Sequence, residues 1–132
     1  MASMDDAGVR RLFEQRNHAV ISTLEEDGAV HSTVVWVDLR DGRPAVNSAV
    51  GRRWPDNLER DPRATLVVYD ESNPYEYVEV RGRARGTTEG ADAHIDRLAK
   101  KYLDADAYPF RQEGEQRITY LIEPSKVRHQ KQ

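Results

Sequence analysis

Val46-Asn47-Ser48-Ala49-Val50-Gly51-Arg52-Arg53-Trp54-Pro55-Asp56-Asn57-Leu58-Glu59-Arg60-Asp61-Pro62 is the stretch on which the reading of this chain turns. It predicts the end of a strand, a tight connection, and a short helix that begins near Pro55 and stops before Pro62. Proline suits a first helical turn because the amide it lacks has no intrahelical partner there. Arg52 and Arg53 therefore stand just before a helix N-terminus, where free amides and the helix dipole already favour an anion. That is a physical case for a phosphate or carboxylate site, set against the plainer reading of two solvated loop arginines.

Working outward on the N-terminal side, Pro44 to Ser48 reads as a strand, entered from the turn Arg40-Asp41-Gly42-Arg43. Before it, Ala19-Val20-Ile21-Ser22-Thr23-Leu24 and Val30 to Val37 flank the hairpin signal Glu26-Asp27-Gly28. Val34, Val35, Trp36 and Val37 are apolar on both faces, which predicts burial on both sides or a covering ligand or partner. Val9, Leu12, Phe13 and Arg16 follow Asp5 and Asp6 at helical spacing and predict a short amphipathic opening helix.

On the C-terminal side, Ala64 to Tyr69 is a continuous β run and Asn73-Pro74 a turn signal. Tyr75 to Arg85 alternates, with Tyr77, Glu79, Arg81 and Arg83 against Val78, Val80 and Gly82, as in a half-exposed strand. Thr87 or Thr88 is a candidate cap for a helix whose buried stripe is Ile95, Leu98, Ala99, Tyr102 and Leu103. Tyr108-Pro109-Phe110 lies in an irregular loop suited to covering a groove. A last strand, Arg117 to Glu123, is expected to end at Pro124, with a short final segment near Val127. The sum is an α+β, mainly β chain of six to seven antiparallel strands with short flanking helices, a small barrel.

Composition narrows the function classes. The 132 residues suit one domain, 1–132, with residues 1–7 and 128–132 expected as loosely ordered ends. A net charge of -3 argues against nucleic acid or an anionic membrane as partner. Cysteine is absent, which excludes disulfides and thiolate chemistry. No apolar run approaches the roughly 18 residues of a membrane span, and the N-terminus lacks signal-peptide character, so a cytoplasmic protein is expected. His18, His31, His94 and His129 are scattered, so no metal site is expected. No nucleophile–base signature appears either, and the catalytic residues stay unassigned. Tyr69, Tyr75, Tyr77 and Tyr108 are conceivable proton donors, weighed against the commoner role of tyrosine in packing.

Several of these runs, in this order, resemble the pyridoxamine-phosphate-oxidase-like split β-barrel family, and within it the branch that uses the deazaflavin coenzyme F-420. The carriers are Ala19 to Leu24 with Asp27-Gly28, Val34 to Val37, Asn47-Ser48-Ala49 ahead of Arg52, and above all Asn57-Leu58-Glu59-Arg60-Asp61-Pro62-Arg63-Ala64. Asn73-Pro74-Tyr75, Glu79-Val80-Arg81-Gly82, His94-Ile95-Asp96 and Lys101-Tyr102-Leu103 continue the pattern. The resemblance implies an FMN-binding split-barrel fold and a homodimer holding cofactor in a groove at the interface. It places Ser32, Val34 and Trp36 beside the ring system, Asn47 and Ser48 near the cofactor's polar chain, and Arg52 on its phosphate. Where the family often carries a lysine, two residues after that arginine, this chain has Trp54. Arg53 is the available replacement, and Trp54 is free to stack on a ring or pack at the dimer interface. Trp36 has a rival role in the core.

The implied activity is F-420-dependent hydride transfer to or from a small electron-poor organic substrate, with 8-hydroxy-5-deazaflavin as cofactor. The alternatives are an FMN-binding protein of the same fold and a non-catalytic cofactor-binding dimer.

Overall fold

The computed structural model describes residues 2–131. Helix α1 (Ala7–Glu14) buries Val9, Leu12 and Phe13, the expected apolar stripe. Strands β1 (Ala19–Leu24) and β2 (Val30–Val35) form the expected hairpin, closed through Gly28 at φ 89°. The second strand stops at Val35; the chain bends at Trp36 and Val37 and resumes as β3 (Asp38–Arg40). Val34 is exposed while Val37 is wholly buried, so the four apolar residues are split by a corner and do not share one doubly buried strand.

Strand β4 (Arg43–Ala49) follows, then α2 (Arg53–Arg60), β5 (Arg63–Asp70), β6 (Asn73–Thr87), α3 (Ala91–Leu103) and β7 (Arg117–Gln130). Among the described residues these strands make one antiparallel sheet in the order β2-β1-β5-β6-β7-β4-β3. The sheet curls around a core of Val9, Leu12, Phe13, Ile21, Leu66, Val80, Tyr120 and Ile122. Its edges, β2 and β3, do not pair with each other, so the barrel is split. No helix among the described residues is long and apolar enough to cross a membrane.

Four local expectations change. Helix α2 begins at Arg53, with Arg52 as its N-cap, so Pro55 sits third in the first turn, still where its missing amide costs no helical bond. Helix α3 is entered through Gly90 at φ 73° and not from a capping threonine; its stripe holds except for Leu103, which faces outward at the helix end. Strand β7 does not end at Pro124 but runs to Gln130, so residues 128–130 are paired strand where a loose end was expected. The register slips between Arg81 and Gly82, and beyond Leu121 no strand among the described residues pairs with the other side of β7, so proline is tolerated. At the N-terminal end Met4 is buried in the core, while Met1 and Gln132 lie outside the described residues.

Candidate functional site

Strand β4 delivers Asn47 and Ser48 to its C-terminal end, and Gly51, at φ 95°, turns the chain sharply into α2. Only glycine adopts that conformation without strain. The turn places Arg52 at the N-cap, with no side-chain cap on the helix's first amides. Arg53, one residue on, points away and lies 3.8 Å from Glu25. Trp54 folds back against Tyr120, ring centroids 5.6 Å apart, and is 6 % exposed.

Asn47, Ser48, Arg52 and Trp54 form one end of a groove of about 360 Å³, within the roughly 300–1,000 Å³ range of small-molecule sites. Val34 and Trp36 supply one wall, Ile95 and Leu98 of α3 the floor, and Tyr108 and Phe110 the rim. The aromatic wall is rigidly built. Trp36 stacks on Tyr102 at 5.3 Å and 6° between planes, and meets Tyr108 edge-on at 6.1 Å. The Tyr102 hydroxyl accepts from the Val37 amide at 3.1 Å, and burial raises its pKa, so it stays neutral. The loop that carries Tyr108 is tied to α3: Arg111 pairs with Asp92 at 2.8 Å and Asp96 at 2.7 Å, and the Tyr108 amide donates to Asp96.

The polar end is a network. Arg117, at the start of β7, is buried; its Nε donates to Asn47 Oδ1 at 2.9 Å and its guanidinium lies 5.0 Å over the Tyr108 ring. Asn47 Nδ2 donates to the Ala91 carbonyl at 2.9 Å and to Thr119 Oγ1 at 3.3 Å. Behind it, fully buried His94 bridges Thr119 and Asp38, each at 2.9 Å. The amide of Asn47 is thus committed inward, and its part is to hold Arg117. Arg52, about half exposed, lines the groove and donates through Nη2 to Glu115 at 3.3 Å.

Of the eight residues expected at a cofactor, Val34, Trp36, Asn47, Ser48, Arg52 and Trp54 line this groove. Ser32 lies outside it on the same exposed face of β2, its hydroxyl 2.9 Å from that of Ser22. Arg53 also lies outside this groove, 3.8 Å from Glu25. Of the tyrosines considered as proton donors, Tyr108 lines the groove; Tyr69 and Tyr77 border a separate shallow depression, and Tyr75 is exposed. Sequence reasoning missed Arg117, which reads as an ordinary strand-opening arginine until the fold pairs it with Asn47. A larger cavity of about 610 Å³ over Ser22, Thr65 and Arg81 is lined by charged and small side chains with the aliphatic Leu24 and Val30, and has no aromatic surface for a ring.

Residues 6–131 match the family model described as pyridoxamine 5'-phosphate oxidase, and the chain belongs to that family. In fold it is similar to an F-420 reductase, with a TM-score of 0.81 at 21% identity over 93% of this chain and 98% of that one. It is similar also to a conserved hypothetical protein from Mycobacterium tuberculosis (TM-score 0.72, 18% identity, 98% of this chain and 85% of that one). General stress protein 26 from Bacillus anthracis gives 0.70 at 16% identity, over 93% and 91% of the two chains. At such identities the likeness is one of fold. No curated protein matches the chain in sequence.

Proposed function

We propose that this protein is an F-420-dependent oxidoreductase, acting as a homodimer on a small electron-poor organic substrate. The observation that carries this reading is an aromatic, ring-sized groove ending at Arg52 on the N-cap of α2. The lining fits a planar cofactor with an anionic tail: Trp36 and Tyr108, edge-on to each other, beside Val34 for the ring, and Ser48 and Arg52 for the polar chain and its phosphate. Arginine suits that last role because its planar fork matches phosphate oxygens. Membership of the pyridoxamine 5'-phosphate oxidase family and likeness to an F-420 reductase support the reading.

A bound deazaflavin supplies hydride-transfer chemistry of its own. The chain's side chains hold the ring against Trp36, exclude water with Tyr108 and Phe110, and neutralise the tail at Arg52. The open side of the groove adjoins the edge strand β2, whose exposed Val30 and Val34 suit a second copy of the chain. FMN is the second reading, favoured by the family match itself.

Calorimetric titration of the purified protein with F-420 and with FMN separates the two. Micromolar or tighter F-420 binding, with FMN weaker, is the expected result; FMN binding without F-420 binding overturns the assignment. Arg52→Ala is expected to weaken cofactor binding at least tenfold, since a charge-assisted hydrogen bond is worth about 1.5–3 kcal/mol. Unchanged affinity would place the anion contact elsewhere.

A further inference from the structure

A carboxylate pairs with the two arginines at the anion end of the groove without itself lining it. Glu115, its side chain 6 % exposed, lies 2.7 Å from Nη1 of Arg117 through Oε1 and 3.3 Å from Nη2 of Arg52 through Oε2. It bridges the two guanidinium groups at this end of the groove. The Arg117 side chain is only 3 % exposed, so that ion pair is shielded from solvent on both sides. Arg53 and Arg111 add no positive charge to the corner, because each is paired with carboxylates elsewhere. The neighbouring Trp54 adds none either. Two guanidinium charges against one carboxylate leave a single net positive formal charge, to which the uncapped N-terminus of α2 adds only a partial one.

We propose that Glu115 sets the charge state of the anion this corner accepts, admitting a phosphodiester and rejecting a phosphomonoester. This rests on the reading of the groove as a deazaflavin site. A diester carries one negative charge and matches the corner. A monoester carries about -1.5 to -2 at neutral pH, and its second charge would face a carboxylate that is out of water and cannot be screened well. F-420 carries its phosphate as a diester and FMN as a monoester, so the corner chooses between the cofactors by charge and not by ring. Trp54 acts in the same direction, since a lysine there would supply the charge a monoester needs.

The probes are F-420 and an 8-hydroxy-5-deazaflavin bearing a ribityl phosphate, prepared as the monoester and as its methyl diester. Dissociation constants are measured by calorimetry on wild type and on Glu115→Gln. The wild type is expected to bind the methyl diester at least tenfold more tightly than the monoester, and Glu115→Gln to lose that preference. Equal affinities in the wild type, or a tighter monoester, overturn the proposal without any variant being needed. A preference that survives intact in folded Glu115→Gln overturns it as well, because the selectivity then has another source. Failure of the wild type to bind F-420 at all sinks the cofactor reading itself, and this inference with it.

Discussion

Lys101 is the residue whose placement has the clearest cost. Its ammonium donates to the carbonyls of Val37, at 2.6 Å, and Phe13, which ties α3 to the β2–β3 corner and to α1. Burial holds its pKa down to about 8, against smaller upward pulls from Asp38 and Glu14. The unfolded chain titrates this lysine near 10.5. Between about pH 8 and 10 the unfolded state therefore binds more protons than the folded one, and stability rises with pH. Below pH 8 both states are protonated and the full cost of the buried charge is present. Above pH 10 the slope reverses, because burial raises the pKa of Tyr102 and Tyr120, and the unfolded tyrosines ionise first. Lys101→Met is expected to remove the rise; thermal unfolding of both proteins at pH 8, 9 and 10 checks it, and parallel curves would refute it. Arg52 was legible in the sequence because a helix start follows it directly. Arg117 and Glu115 were not, since their meaning depends on β4 and β7 lying side by side and bringing Asn47 to Arg117.

At the scale of the element, β6 and β7 show what a sequence pattern carries and where it stops. The alternation of β6 is plain in its residues, and Val78, Val80 and Ala84 are buried as the period requires. The course of β7 past Pro124 was hidden, because a proline reads as a strand end unless a bulge absorbs it. Gly82 makes that bulge possible. A Cβ there would meet the Glu123 carbonyl oxygen at 2.1 Å, a backbone atom that cannot rotate aside. Gly82→Ala is expected to cost about 2 kcal/mol or more by displacing one strand from the other. Urea denaturation measures it, and a loss below about 0.5 kcal/mol would mean that the bulge is pliable. The end of β7 is anchored in turn: His129 sits 2.8 Å from Glu76, which also pairs with Arg11 of α1 at 2.9 Å. The carboxyl of Glu76 is held below its ordinary range by the His129 bond first and by Arg11 second.

At the scale of the molecule, the split sheet leaves an edge strand with two bare valines, 66 % and 65 % exposed at Val30 and Val34. An edge of this kind is normally protected by charge or covered by another surface. Sedimentation velocity at micromolar concentration is expected to show a species of twice the chain's mass, and Val30→Lys to shift it toward monomer. A wild-type monomer under those conditions would mean that one chain alone completes the groove. Strand number, antiparallel pairing and the three helices were readable from periodicity and turn signals. The split itself came only with the family resemblance, because it depends on which strands fail to meet, and no local pattern encodes that.

The chain has only two tryptophans, and both Trp36 and Trp54 line the groove. The protein's tryptophan emission therefore comes entirely from the candidate site, with no background from indoles elsewhere. One indole is stacked on a tyrosine beside the ring wall and the other is packed beneath the anion corner, so they sample different ends of whatever enters. Replacing each in turn by phenylalanine would give two single-colour versions of the same protein. Each would be a built-in optical gauge for its own end of the groove, readable before any substrate is known.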